Sequence, residues 1–278
     1  MDIGDFLDYP AAVHLETWAK CNAACSFCPY STLDRQGVKM SGALINKILT
    51  DLEDIPKDQK FFFSPFKVNE PFLDKRLLPL LEHVNRRLPN AIFTLFSNGT
   101  PLTEVKIKRI AALKNVRHLW ISLNDHRPAQ YEATMKMPLA RTLRRIDLLH
   151  NMPFPHKVVI SRVCDNTPAD EDFAMLVENR WPRFEVSLLQ RQAWIDDFEH
   201  EAISTEVPVS KCSRWWEIEI TSTGRTALCC MDGHAKYSIG DVSKQHVLEV
   251  YNSPDYKRMR AGDQTRQHYT PCKICTFG

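Results

Sequence analysis

Residues 13–30 read VHLETWAKCNAACSFCPY, an apolar strand signal over Val13–Trp18 followed at once by Cys21, Cys25 and Cys28. Spacings of three and two residues let one tight loop wrap three thiolates around a common centre, whereas a four-ligand structural zinc usually arrives as two separated pairs. Three ligands from one loop leave one metal position open. A 4Fe–4S cube held in this way keeps a unique iron that can take a non-protein ligand.

Outward from that loop, short apolar runs alternate with longer amphipathic stretches as far as about residue 195. The strand signals are Val13–Trp18, Phe61–Phe66, Ile92–Phe96, His118–Leu123, Lys157–Val163 and Glu185–Leu189. Between them, apolar residues recur three or four apart over Ala43–Leu52, Leu77–Leu88, Val105–Leu113, Leu139–Leu149 and Asp170–Glu178, which predicts helices. Such alternation predicts an α/β fold of parallel strands joined by right-handed crossovers, a sheet or partial barrel. After Trp194 the rhythm breaks. Ile195–Lys211 is polar and acidic, carries a proline and reads as a linker, so we expect one domain over residues 1–200 and a second over 201–278. In the second, WWEIEITSTGRTALCC (215–230) reads as a hairpin around an STG turn, and Val247–Tyr251 as a short helix. So few elements make a thin core, for which a metal staple is a physical remedy.

The composition is that of an ordinary globular protein: 278 residues, 44% hydrophobic and 25% charged, which excludes a disordered or collagen-like chain. Thirty-six Lys+Arg stand against 34 Asp+Glu, scattered rather than striped, so nucleic acid is not an expected partner. No apolar run approaches the roughly 18 residues of a membrane helix. The start, MDIGDFLDYP, is acidic where a signal peptide would be basic and then apolar, and the expected location is the cytoplasm, with no membrane partner. In a reducing compartment nine cysteines need a use other than disulfides.

The C-x3-C-x2-C loop at the end of the first strand of a repeating βα chain resembles the signature of the radical S-adenosylmethionine (SAM) enzymes, and Phe27 matches the aromatic position of that motif. The resemblance implies a partial (β/α)6 barrel, a 4Fe–4S cluster on Cys21, Cys25 and Cys28, and SAM bound at the open iron. Asn69-Glu70-Pro71 resembles the family's GGEP segment, which receives the SAM amino group, although Val68 and Asn69 replace the usual glycines. Ser97-Asn98-Gly99 resembles the family's TNG turn, and Ser122 closes the fourth strand where the family often places a polar contact to SAM. Arg162, near the end of the fifth strand, is a further candidate at the cofactor, and Gln190, Arg191, Trp194 and His126 are candidate lining residues. Each of these motifs stands at the carboxyl end of a strand, where α/β proteins build their sites.

Cys212, Gly224 and Cys229, spaced C-x11-G-x4-C, resemble the opening of the SPASM extension, and the chain ends on PCKIC. That resemblance implies a small α+β domain of the shortened "twitch" kind, with a second 4Fe–4S cluster on Cys212, Cys229, Cys272 and Cys275. Spacing alone also allows zinc on the same four thiolates. Cys230 competes with Cys229, since adjacent residues point to opposite sides of a strand; the distance from Gly224 favours Cys229. Cys164 belongs to neither group. It is a small buried hydrophobe or, if the barrel strand delivers it to the mouth, a hydrogen-atom donor.

If the resemblance holds, a reduced cluster cleaves SAM to methionine and a 5′-deoxyadenosyl radical, and a second, oxidising cluster suits removal of an electron from a substrate radical beside a hydroxyl. The expected activity is a radical SAM oxidoreductase dehydrogenating a hydroxylated small molecule such as a sugar or aminocyclitol, supplied with electrons by flavodoxin or ferredoxin. The first strand begins near residue 13, which leaves no room before it for a leader-binding domain and favours a small substrate. An epimerase, a peptide-modifying enzyme and a non-enzymatic iron–sulfur or zinc scaffold are the alternatives.

Overall fold

The computed structural model describes residues 6–195 and 203–277. The expected domain boundary at 200/201, and part of the expected linker, lie outside the described residues. Six parallel strands, β1 (Ala12–Leu15), β2 (Phe61–Ser64), β3 (Ala91–Ser97), β4 (Val116–Ser122), β5 (Lys157–Val163) and β6 (Glu185–Leu189), lie side by side in chain order. Helices α1 (Gly42–Leu52), α2 (Leu77–Arg87), α3 (Glu104–Ala111), α4 (Pro128–Met135), α5 (Leu139–Asn151) and α6 (Ala169–Arg180) fill the crossovers. This is the α/β partial barrel expected from the alternation. α4 was not foreseen, because PAQYEATM carries no sustained apolar stripe.

Local chemistry sets the element ends. The Ser41 side chain accepts the Leu44 N–H at the start of α1, and Thr103 does the same for Lys106 at α3. Ile45, Ile48, Leu49 and Leu52 then form the buried stripe of α1. Gly99, after β3, has φ +82°, and a Cβ there would lie 3.3 Å from the Ile121 side chain, so the turn needs a residue without one.

The predicted hairpin is present as β7 (Glu217–Ile220) and β8 (Arg225–Ala227), followed by β9 (Gly240–Asp241), α7 (Val247–Tyr251) and α8 (Pro254–Ala261). It does not stand on a sheet of its own. β7 pairs parallel with β1, which makes one nine-stranded sheet in the order β6-β5-β4-β3-β2-β1-β7-β8-β9. Trp215, Trp216, Ile218, Val247 and Tyr251 join the same apolar core as the barrel helices.

Strand alternation assigns each residue a face. Val13, Leu15, Phe61, Phe63, Phe93, Leu95, Ile218 and Ile220 face the helices and belong to that core. The opposite, lumen face carries His14, Ser64, Thr94, Ser122, Ser161, Glu217 and Glu219 among the aromatic side chains Phe62, Phe96 and Trp120, as the cross-strand register shows. The inner face of this barrel is polar and aromatic, the composition of a binding cavity rather than of a packed core.

Candidate functional site

The loop bearing Cys21, Cys25 and Cys28 rests on α4. Ala24 N–H and Ser26 N–H donate to the carbonyls of Met135 and Thr134 at 3.2 and 3.0 Å, and Cys28 N–H closes the loop on Cys25 O at 3.0 Å. Burial pushes the Cys21 thiol up to about 12 and Cys28 up to about 11, with Cys25 also well raised; Cys28 adds to the shift of both Cys21 and Cys25. Three neighbouring thiols that share their negative charge poorly are a donor set suited to a cationic iron centre, and they fit a 4Fe–4S cluster with one iron left open. Phe27, half-buried, is held from the far side of the barrel. Arg191 lies over its ring at 5.5 Å and the Trp194 indole donates to its carbonyl at 2.8 Å. Of the four proposed lining residues, these two therefore reach the loop. His126 instead lies against Phe173 of α6, and Gln190 is exposed at the end of β6.

The segments resembling the SAM-binding motifs are drawn together by one carboxylate. Glu70 Oε1 accepts from Phe72 N at 3.1 Å and Ser97 Oγ at 3.0 Å, and Oε2 from Asn98 N at 2.6 Å. Ser97 Oγ in turn accepts from Gly99 N, and the Asn98 side chain is engaged by Thr100 and Asn22. The side chains of Glu70, Ser97 and Asn98 thus shape the turns. Among the described residues the carbonyl oxygens of Val68 and Asn69 accept no hydrogen bond, and Asn69 Nδ2 is buried without a partner. Two free acceptors and one free donor beside the cysteine loop fit the amino and carboxylate groups of SAM. Ser122 stands on the lumen face, opposite Ser161.

Arg162 is a correction. It alternates onto the outer face of β5, where Nε reaches Asp170 at 2.6 Å, one terminal nitrogen Asp125 at 2.7 Å and the other Asp165 at 2.9 Å. All three nitrogens are committed to the protein, as a buried guanidinium requires, and none is left for a cofactor. Cys164, next along, also turns from the lumen; burial beside Asp170 pushes its thiol up to about 11. The barrel does not deliver it to the mouth.

Burial likewise pushes the Glu70 carboxyl up to about 7, against the pull of its donors. Its ordinary value is 4.5, so the folded state holds the extra proton between these limits, and stability falls as pH rises through this window. The expected loss is on the order of 3 kcal/mol between pH 5 and 8, read by urea unfolding, and Glu70→Gln should flatten it. A parent profile that is flat over this range refutes the assignment.

The second cysteine group converges on a cavity lined by Cys212, Cys229, Cys272 and Cys275 together with the cations Arg214 and Arg266. Burial pushes Cys272 up to about 11, opposed by the Trp215 indole N–H beside it. Arg214 Nε is buried there without a hydrogen-bond acceptor. Four thiols with two guanidiniums at hand fit an anionic iron–sulfur cluster. Cys230 does not line this cavity; it lies among Arg214, Glu219, Glu217 and Lys67. One peptide unit thus separates the cavity from the lumen, and Lys67 Nζ bridges them, donating to Cys229 O at 3.2 Å and lying 3.5 Å from Glu219.

Sequence reasoning missed Glu16, Lys67 and the lumen group. Glu16, fully buried, accepts from Arg35 Nε at 2.7 Å, Val68 N at 3.3 Å and Ser222 N at 3.1 Å, which ties the SAM-motif segment to the β7–β8 turn. The signal was present as alternation, HLE (14–16) running off the end of β1 and EIEI in β7, but a polar face reads as solvated until its surroundings are known.

A parallel partial barrel with three cysteines on the loop after its first strand, and a four-cysteine cavity beside its lumen, defines an enzyme class that pairs SAM with iron–sulfur chemistry. The Radical SAM superfamily matches residues 15–179 and the SPASM iron-sulfur cluster-binding domain residues 212–276, and the chain belongs to the radical SAM superfamily. No curated protein matches it in sequence. Among solved structures it is similar to BtrN in complex with AdoMet and 2-DOIA, at 17% identity and TM-score 0.65, over 96% of this chain and 93% of that one. It is also similar to Streptococcus suis SuiB bound to precursor peptide SuiA, at 15% identity and TM-score 0.66, over 97% of this chain and 70% of that one. A third likeness is to anSMEcpe with bound AdoMet and Cp18Cys peptide, at 13% identity and TM-score 0.66, over 90% of this chain and 82% of that one. At such identities the likenesses speak for the fold alone. Among the described residues no helix is long and apolar enough to cross a membrane.

Proposed function

We propose that this radical SAM enzyme is an oxidoreductase that dehydrogenates a hydroxylated small molecule of the sugar or aminocyclitol kind, with one 4Fe–4S cluster on Cys21, Cys25 and Cys28 and a second on Cys212, Cys229, Cys272 and Cys275. Cys21, Cys25 and Cys28 would hold the first cluster, which together with bound SAM would supply the radical chemistry that removes a hydrogen atom from substrate. The observation that carries the reading is the shared wall between the polar lumen and the four-cysteine cavity, where Lys67 touches both Glu219 and the Cys229 carbonyl. A carboxylate within that wall suits the proton, and the neighbouring cluster the electron, that a hydroxyl-bearing carbon loses on becoming a carbonyl. We take the electron donor to be flavodoxin or ferredoxin; Lys20 and Lys39, over the Trp18 ring at 4.8 and 5.0 Å, make a basic surface next to the cysteine loop suited to an acidic redox partner. The domains at 1–200 and 201–278 correspond to these two cysteine centres. Mass spectrometry of products from aminocyclitols, nucleotide sugars and peptides tests the assignment: a substrate lighter by two hydrogens supports it, and a modified peptide refutes it.

One observation favours an epimerase as second reading: Cys230, not Cys164, lies beside the lumen carboxylates. Cys164→Ala should keep full activity and cost about 1 kcal/mol or less in stability. Cys230→Ala decides between the readings. An unchanged oxidised product supports the dehydrogenase; an isomer with solvent deuterium in the parent, lost in Cys230→Ala while SAM is still consumed, establishes the epimerase.

A further inference from the structure

The lumen holds side chains that neither cysteine centre uses. His14 on β1 stands in register with Ser64 on β2 and with Glu219 on β7, and Glu217 shares the face two residues earlier. His14 Nε2 lies 3.7 Å from both Glu217 Oε2 and Glu219 Oε1, beyond hydrogen-bond reach. Those two oxygens, Glu219 Oε2 and the Ser64 hydroxyl are all buried and have no hydrogen-bond partner among the described residues. Glu219 and Ser64 are each only 1% exposed. Buried carboxylate oxygens without donors are unfavourable, so the spacing calls for a group that bridges imidazole and carboxylate.

Charge decides what that group is. Lys67 Nζ lies 3.5 Å from Glu219 Oε2 and Arg214 donates to Glu217 Oε1 at 2.7 Å, so two cations already balance two carboxylates. A divalent ion between them would face an ammonium and a guanidinium. Neutral donors meet the need. A hydroxyl donates to a carboxylate and accepts from imidazole or serine, and neighbouring hydroxyls on one ring meet several such partners at once. On the same face Phe96 and Trp120, with ring centroids 6.0 Å apart, and Phe66, stacked on Phe96 at 4.9 Å, offer an apolar surface to the body of the ring.

We propose that His14, Ser64, Glu217 and Glu219 form the subsite that binds the hydroxyl-bearing edge of a polyhydroxylated ring. This rests on the oxidoreductase reading and names the residues that select its substrate. The test is anaerobic titration calorimetry of the cluster-loaded protein with scyllo-inositol, glucosamine and UDP-glucose, and with cyclohexanol, a ten-residue peptide and Mn²⁺ for contrast. At least one polyol should bind and cyclohexanol should not. Glu219→Gln should weaken that binding about ten- to a hundredfold, with iron content unchanged; should that variant lose iron, Ser64→Ala carries the comparison with about a tenfold loss. Equal polyol affinity in parent and variants overturns the subsite and leaves the oxidoreductase reading standing. Peptide binding without polyol binding overturns both. Failure of every polyol to bind, or Mn²⁺ binding that Glu219→Gln abolishes, overturns the subsite as a polyol site.

Discussion

Replacing Cys21, Cys25 and Cys28 together by Ala is expected to lower iron from about eight to about four atoms per chain and to abolish SAM cleavage altogether. The loop supplies three thiols and leaves one iron position free, so its loss removes both the electron source and the site at which SAM would be held. Cys25 is backed by α4 through the Ala24 and Ser26 amides that flank it, Cys28 N–H bonds to the Cys25 carbonyl, and these backbone bonds survive the substitutions, so the fold should persist. Iron analysis and mass spectrometry of 5′-deoxyadenosine read the result. Product 5′-deoxyadenosine at the parent's rate would remove the loop from the reaction, and a parent holding about four irons with zinc making up the rest would remove the second cluster.

The second large effect is a separation of activities. Cys272→Ala should lose oxidised product while 5′-deoxyadenosine still forms at a reduced rate, because SAM cleavage needs only the first cluster. Cys272 is buried in the same cavity as Cys212, Cys229 and Cys275, and its removal leaves three thiols where four converge. Partial slowing rather than silence is expected on structural grounds. The cavity wall is continuous with the lumen through Lys67, and the Tyr256 hydroxyl, 3.3 Å from the carbonyl of Leu228 beside Cys229, donates to the Glu217 carbonyl at 2.9 Å. Full product yield from Cys272→Ala would reduce the second centre to a staple for this part of the chain.

Much of this architecture is local, and for that reason readable in the chain. β5 and β6 coincide with Lys157–Val163 and Glu185–Leu189, runs whose apolar and β-branched residues encode a strand within their own few positions. The two cysteine groups are equally local, since loop spacing decides whether thiols can share a centre. α4 escaped notice because its stability comes from neighbours: the Tyr131 hydroxyl meets Thr142 of α5 at 2.6 Å, and its last turn holds the cysteine loop. Arg162 and Ser97 stand at strand ends as site residues do, yet each is engaged by a carboxylate from another βα unit, Asp125 for Arg162 and Glu70 for Ser97.

Period-two alternation in EIEI determines that Glu217 and Glu219 share one face of a strand, and nothing in those residues says what that face meets. Solvent is the ordinary answer for an acidic face. Pairing of β7 with β1, across some 200 residues of chain, turns the same face inward beside His14 and Ser64 and buries Glu219 together with the Oε2 atom of Glu217. The choice between Cys229 and Cys230 has the same origin: the two directions are inherent in adjacent residues, while which direction meets Cys212, Cys272 and Cys275 depends on how the hairpin docks. Short-range backbone preferences therefore determined the elements and the thiol loops, and long-range strand pairing decided which polar side chains were removed from water and made into a site.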